Sequence, residues 1–240
     1  MEPAAIPVLH CDAHLVAVAK PPGLAMIPAR GEAPADSLHK RLERQLGQRL
    51  WVVHRLDRDA SGLALFARTA ESHRELSLAF EHRRVAKRYV ALVLGALAPP
   101  RGRIDRPLHE ARRGKMRPAE PGEDGAREAL TDYAVARRFA TGAVTVSEVE
   151  ARPLTGRQHQ LRVHLRSAGV PILFDDVYGR ATLEQPALRE APARRLALHA
   201  LALELPGPAG PLTLECPLAA DLQELLAWLE RGFTVTATGA

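Results

Sequence analysis

The stretch HRLDRDASGLALFAR, His54 to Arg68, sets two carboxylates and three arginines around one turn, ahead of an apolar run. GLALFA reads as a strand, WVVHRL before it as another, and DRDAS as their connection. Asp57 is then expected at a strand end, where a rigid scaffold can aim a side chain. Arg55 and Arg58 flank it. Nearby positive charge favours an ionised carboxylate, and charge-assisted hydrogen bonds fix its orientation. A group that first donates a proton needs the opposite surroundings. Asp57 therefore suits nucleophilic attack or proton acceptance. Spacing alone also accommodates a solvated turn, in which Arg55, Asp57, Arg58 and Asp59 form weak ion pairs.

Outward from this turn, VLH and LVAVAK around CDA read as a hairpin that PPG breaks. Leu38, Leu42 and Leu46 recur every four positions, which predicts a short amphipathic helix with Asp36 as its N-cap. A second helix is expected over 70–82, with Leu76 and Phe80 on one face, feeding the apolar strand YVALVLGAL. The Pro-, Gly- and charge-rich stretch over 98–125 is expected to be loop in its most polar parts. LTDYAVARRF and AVTVSEVEARP alternate as strands and turn at ATG. RQHQLRVHLRSAG has helical spacing, with Leu161, Leu165 and Ala168 on one face and His159, Arg162 and Arg166 on the other. Gly169 should end that helix. RRLALHALALEL and LTLEC read as a strand pair, and DLQELLAWLERG as a closing helix. Hairpin-joined strands of this kind predict an α+β fold. One domain over 1–240 is expected, on a mixed, largely antiparallel sheet with flanking helices.

The 240 residues are 46% hydrophobic and 25% charged, enough to bury a core. A formal charge of +5 suits a polyanionic partner, because Lys and Arg release counterions condensed on phosphates. The charge gathers at EHRRVAKR, ARRGKMR and TGRQHQLRVHLR, each beside apolar sequence, so a basic surface groove is expected rather than a loose arm. No apolar run is long enough to span a membrane, and the N-terminus lacks a signal peptide's pattern, so a cytoplasmic protein is expected. Cys11 and Cys216, far apart, form no zinc module or disulfide framework.

Other chemistries fit less well. The carboxylate pairs Asp57/Asp59 and Asp175/Asp176 lack the aromatics that would stack a sugar, at 4% aromatic content. His159 and His164 stand at i,i+5, which turns them apart on a helix, so no metal is expected. DASGLA lacks the earlier glycine of a nucleophile elbow, and no phosphate-loop lysine pattern follows PPG or PGEDG, so no nucleotide cofactor is expected.

Taken together, DAHLVAVAKPPGL, VVHRLDRDASGLALFART, VAKRYVALVLG, PLTGRQHQLRVHLRSAGVPILFDDVYG and RLALHALALEL resemble, in order, the motif blocks of the RluA family of RNA pseudouridine synthases. The resemblance implies a pseudouridine-synthase-like domain with a central RNA-binding cleft, acting as an isomerase on structured tRNA or large-subunit rRNA without a cofactor. It makes Asp57 the aspartate that initiates glycosidic cleavage. Tyr89 matches the tyrosine that stacks on uracil, and Arg162 the basic residue that pairs with the aspartate. Arg55 matches the arginine that enters the RNA and holds the target nucleotide out of the stack. Arg58, His54, Arg157, His159, Lys20 and Lys87 are the further RNA-binding candidates. The implied reaction detaches uracil at C1′–N1, turns the ring and joins C5 to C1′. Asp57 would either attack C1′ or remove a ribose proton. The base must leave the stack for the ring to turn. The family's S4 RNA-binding domain is expected to be missing, and a monomer is the default. Ala60 stands where threonine is common, and Phe174 and Asp176 where glycine and proline are frequent, which bears on the loop shape there. The competing reading is a non-catalytic RNA-binding protein on the same fold.

Overall fold

The computed structural model describes residues 4–28, 37–142, 144–207 and 210–237. The first elements are β1 (Val8–Cys11), β2 (Leu15–Lys20), α1 (Leu38–Leu46), β3 (Trp51–Val52), β4 (Ser61–Ala67) and α2 (Ala70–Glu81). Next come β5 (Ala86–Leu94), β6 (Arg101–Asp105), β7 (Leu108–Glu110), β8 (Met116–Pro118), β9 (Leu130–Thr141) and β10 (Val144–Pro153). The last are α3 (Gln160–Ser167), α4 (Arg180–Leu183), β11 (Leu198–Leu205), β12 (Leu212–Glu215), α5 (Ala220–Gly232) and β13 (Thr234–Ala237). The class is α+β, as the hairpin spacing predicts. The chain forms two compact units, residues 1–87 with 199–219 and residues 88–198 with 220–240.

In the first unit the strand order is β1-β2-β4-β11, with β3 on β4 and β12 on β11. Every pairing there is antiparallel except β4 with β11. All seven residues of β4 are buried, which explains a run that is apolar throughout rather than alternating. Leu63 and Leu65 pack with Leu15, Ala17, Leu203, Leu205 and Leu214, and Leu76 and Phe80 lie against the same cluster. Ser37 caps α1 by accepting from the Lys40 amide, and Gly47 closes it in a left-handed conformation. The expected cap Asp36 lies outside the described residues.

WVVHRL is strand only at Trp51–Val52. The β3–β4 ladder runs Trp51↔Ala67 and Val52↔Phe66. One step on, the Leu65 amide donates to His54 Nε2 at 3.0 Å, so a side chain replaces the next backbone partner. Residues 53–57 are free of the ladder, and Asp57 stands on irregular backbone before the turn at 58–59.

In the second unit the order is β5-β10-β9-β13, with β6 on β9, all antiparallel. The β9–β10 hairpin turns where ATG predicts. The stretch over 98–125, expected to be loop in its most polar parts, carries β6, β7 and β8. Its backbone pairs (Arg101↔Ala134 to Asp105↔Leu130, and Leu108↔Pro118) while Arg101, Arg103 and Asp105 are exposed. Arg103 there makes a bidentate pair with Asp132, donating from Nε at 2.6 Å and Nη2 at 3.0 Å.

The leucine face of α3 is correct, and of the opposite face Arg166 is exposed, His159 half-buried and Arg162 buried. Every residue from Gln160 to Leu165 is buried, Arg162 included. His159 is the N-cap at φ 53 rather than a helical residue. Ala168 is the C-cap, and Gly169 follows with φ 81.

Candidate active site

The Asp57 turn belongs to the first unit. Asp57 is half-buried, Arg55 and Arg58 are exposed, and Leu56 and Ala60 are buried on either side. Arg58 is tied back to the PPG turn, its Nε donating to the Gly23 carbonyl at 3.2 Å. Lys20, expected among the RNA contacts, is only 2% exposed. Its ammonium donates to the carbonyls of Pro21 and Leu24 at 2.8 Å and of Arg58 at 2.7 Å. Burial makes it an internal anchor of the turn.

Behind the turn, Ser61 and Gly62 have different tasks. Ser61 Oγ and His199 Nδ1 are 3.0 Å apart, and His199 Nε2 lies 3.2 Å from the Cys216 carbonyl, all in buried surroundings. Gly62 faces Ala200 across the parallel β4–β11 pair. A Cβ on Gly62 would sit 2.3 Å from the Ala200 carbonyl oxygen.

His54 is half-buried, its ring stacked on Phe80 with centroids 4.9 Å apart. Burial, and then the charge of Lys87, push its pKa down to about 4. The ring is therefore neutral at pH 7, with Nε2 accepting from the Leu65 amide. Lys87 is itself pushed down to about 8, by burial and then by Arg83. It remains mostly protonated at pH 7 and can still meet a phosphate.

A pH effect follows from His54. Its folded pKa lies below its ordinary value of 6.5, so the folded chain favours the neutral ring. That contribution is intact above about pH 6.5 and is lost as pH falls toward 4, by roughly 3 kcal/mol. Urea unfolding of the native chain and of His54→Phe at pH 7 and pH 4 reads it. The variant, lacking the Leu65 acceptor, should be less stable at pH 7 and should lose less on acidification. Equal losses in both would remove His54 as the cause.

In the second unit, Arg162 donates to both oxygens of Asp175, from Nε to Oδ2 and from Nη2 to Oδ1, each at 2.7 Å. Both side chains are buried, at 4% and 1% exposure. Asp175 Oδ1 also accepts from the amides of Val177 and Tyr178. The Tyr178 ring lies beneath Arg162 at 5.1 Å, and its hydroxyl lies 2.9 Å from His159 Nδ1. Asp175 is thus an orienting partner of Arg162, while Asp176 is exposed. Tyr89 lies half-buried on β5, opposite Ala151. Arg157, half-buried, donates from Nε to the Glu128 carbonyl at 3.0 Å.

The remaining polar residues of TGRQHQLRVH satisfy one another. Gln160 Oε1 accepts from Thr155 Oγ1 and the Arg157 amide. Its Nε2 donates to the Leu130 carbonyl and to Thr131 Oγ1. Thr131 Oγ1 in turn lies 2.9 Å from His164 Nδ1, whose Nε2 is 3.0 Å from the Arg106 carbonyl. A carbonyl only accepts, so the proton is on Nε2 and Thr131 donates to Nδ1. Burial pushes the His164 pKa down, and its hydrogen bond to the Arg106 carbonyl offsets only part of that. Tyr178 and Asp175 were missed as partners in this region; the bare loop ILFDDVYG gives no spacing that joins them to Arg162. Phe174 in that loop has φ 58, so it takes the left-handed conformation that glycine favours. Arg194 covers its ring at 5.3 Å, and Thr182 Oγ1 accepts its amide.

Comparison with known proteins identifies the family. A family model described as RNA pseudouridylate synthase matches residues 14–167. Ribosomal large subunit pseudouridine synthase D of Nitrosomonas europaea is 38% identical over 229 residues, covering 91% of this chain and 64% of that one. Dual-specificity RNA pseudouridine synthase RluA of Salmonella typhi is 40% identical over 202 residues, covering 84% of this chain and 87% of that one. The solved structure of human RNA Pseudouridylate Synthase Domain Containing 4 superposes with a TM-score of 0.76 at 29% identity, covering 93% of each chain. The sequence blocks and the fold agree, and the chain belongs to the RluA family of RNA pseudouridine synthases.

Proposed function

We propose that the chain isomerises specific uridines to pseudouridine in structured RNA, large-subunit rRNA or tRNA, with Asp57 as the reacting carboxylate. The family match over most of the chain carries the reading. The local geometry supports it, because Asp57 stands outside the strand ladder on a turn tied to the PPG loop at Arg58. Asp57 starts the cleavage of C1′–N1, either by attacking C1′ or by taking a ribose proton, and the freed ring then joins C1′ through C5. Tyr89 and Arg162 have the supporting roles that the family likeness assigns. Arg162 is already oriented by Asp175, so little ordering remains when RNA arrives. Arg55 and Arg58, both exposed, together with Lys87, Arg157 and His159, form the proposed RNA-facing set. The protein is proposed to work as a cytoplasmic monomer.

The test incubates purified protein, or its Asp57→Ala variant, with unmodified tRNA and large-subunit rRNA. Carbodiimide adducts followed by reverse transcription locate pseudouridine as stops. New stops are expected with the native protein, and a loss of at least about 10⁴-fold in their rate of appearance with Asp57→Ala. Equal stops from both proteins would remove Asp57 from the chemistry.

A further inference from the structure

Helix α2 ends in a pattern of hydrogen bonds that usually calls for glycine. His82 caps the helix, the Arg83 amide donates to the Phe80 carbonyl at 3.1 Å, and the Arg84 amide to the Ala79 carbonyl at 2.8 Å. That closure needs a left-handed residue directly after the cap, a conformation that glycine takes at the least steric cost. Here the place holds Arg83, at φ 57. Among the described residues, the other non-glycine positions of positive φ are His159 and Phe174. Both are held by side-chain packing, His159 edge-on against Tyr178 and the buried Phe174 under Arg194. Arg83 is exposed, so burial of its side chain does not account for the strained backbone.

A second cost is electrostatic. Arg83 stands close enough to the half-buried Lys87 to add to the effect of burial in lowering the pKa of that ammonium to about 8. Two cations that repel each other both attract an anion placed between them. Strain kept at an exposed residue, beside a like charge, points to a ligand rather than to folding. We propose that Arg83 and Lys87 together hold one backbone phosphate of the RNA, an inference that rests on the chain acting on RNA. The guanidinium offers two parallel donors to the phosphate oxygens, and Lys87 adds a point charge. A phosphate carries no sequence information, so this contact positions the RNA without selecting the uridine.

The test measures equilibrium binding of unmodified tRNA and of a large-subunit rRNA fragment by filter retention across a chloride series. Arg83→Gly removes the charge and relieves the backbone. It should weaken binding of both RNAs by about 10-fold at 0.1 M salt and lower the salt slope by about 1. Its thermal midpoint should equal the native one or exceed it by up to about 3 °C. Arg83→Lys, which keeps the charge, should bind within about threefold of native. Arg74→Gln removes the same charge from an exposed position earlier in α2 and should bind within about twofold. Binding is read without turnover, so a chain that binds RNA but forms no pseudouridine loses the activity reading alone. Native binding in Arg83→Gly, a loss no greater than that of Arg74→Gln, or an effect on only one of the two RNAs would overturn the proposal. So would a midpoint of Arg83→Gly more than about 3 °C below native, which would make Arg83 a folding residue. A site for free phosphate would show when inorganic phosphate replaces chloride at matched ionic strength. Native affinity for RNA would then drop while that of Arg83→Gly held, and this outcome too would overturn the proposal.

Discussion

Replacing Gly62 with alanine is expected to destabilise the chain by on the order of 4 kcal/mol, from two sources that add. The first is conformational, because φ at Gly62 is +113, a region that L side chains rarely adopt. The second is contact. The new Cβ would meet the oxygen, nitrogen and carbonyl carbon of Ala200 at 2.3, 2.5 and 2.8 Å, and these are backbone atoms that cannot swing aside. The strands must part, and with them the Ser61–His199 contact and the register that places Lys20 opposite Gly62. Gly47→Ala isolates the first source, since Gly47 has φ +64 and nothing within 4 Å of its would-be Cβ. It should cost about 1 kcal/mol. Thermal unfolding followed by circular dichroism should show a midpoint drop of about 10 °C for Gly62→Ala and a few degrees for Gly47→Ala. Equal drops would mean that β11 does not approach β4 this closely.

Asp175→Ala should destabilise by about 3–5 kcal/mol, because breaking one side of a buried ion pair leaves its charge buried without compensation. Arg162 would lose two charge-assisted hydrogen bonds at 2.7 Å, and the Val177 and Tyr178 amides would lose their acceptor. Asp175→Asn keeps the shape and one acceptor oxygen, so its loss should be smaller. A double variant, Asp175→Ala with Arg162→Leu, should be less damaging than the sum of the single losses, since the second change removes the stranded charge. Denaturant midpoints for the native chain, Asp175→Ala, Arg162→Leu and the double variant give the coupling. Strict additivity would show that the pair contributes nothing as a pair.

How far the sequence discloses all this depends on where each partner lies. β4 is legible because it is apolar almost throughout, and α2 because Leu76 and Phe80 follow the helical period. β6, β7 and β8 are not, because their polar, proline-rich residues become strand through pairing with distant backbone. β3 is shorter than its apolar run predicts, because the decisive hydrogen bond comes from a side chain, His54. Asp57 and its arginines stand out by charge. The partners of Lys20 were missed because they are carbonyls, which every residue carries and no spacing reveals. Asp175 was missed as a partner of Arg162 for a related reason: helical periodicity gives the neighbours of Arg162 on α3, and Asp175 is thirteen residues away.

The closed network of Thr155, Gln160, Thr131 and His164 has a consequence for descendants of this chain. These side chains are held by one another and by backbone groups of Leu130, Arg106 and Arg157. Folding alone would oblige a copy that had lost its chemistry to retain them, since each replacement strands a buried donor or acceptor. Among duplicated genes, this block therefore records that the architecture survives. The residue at position 57 is where a change of trade would first become visible.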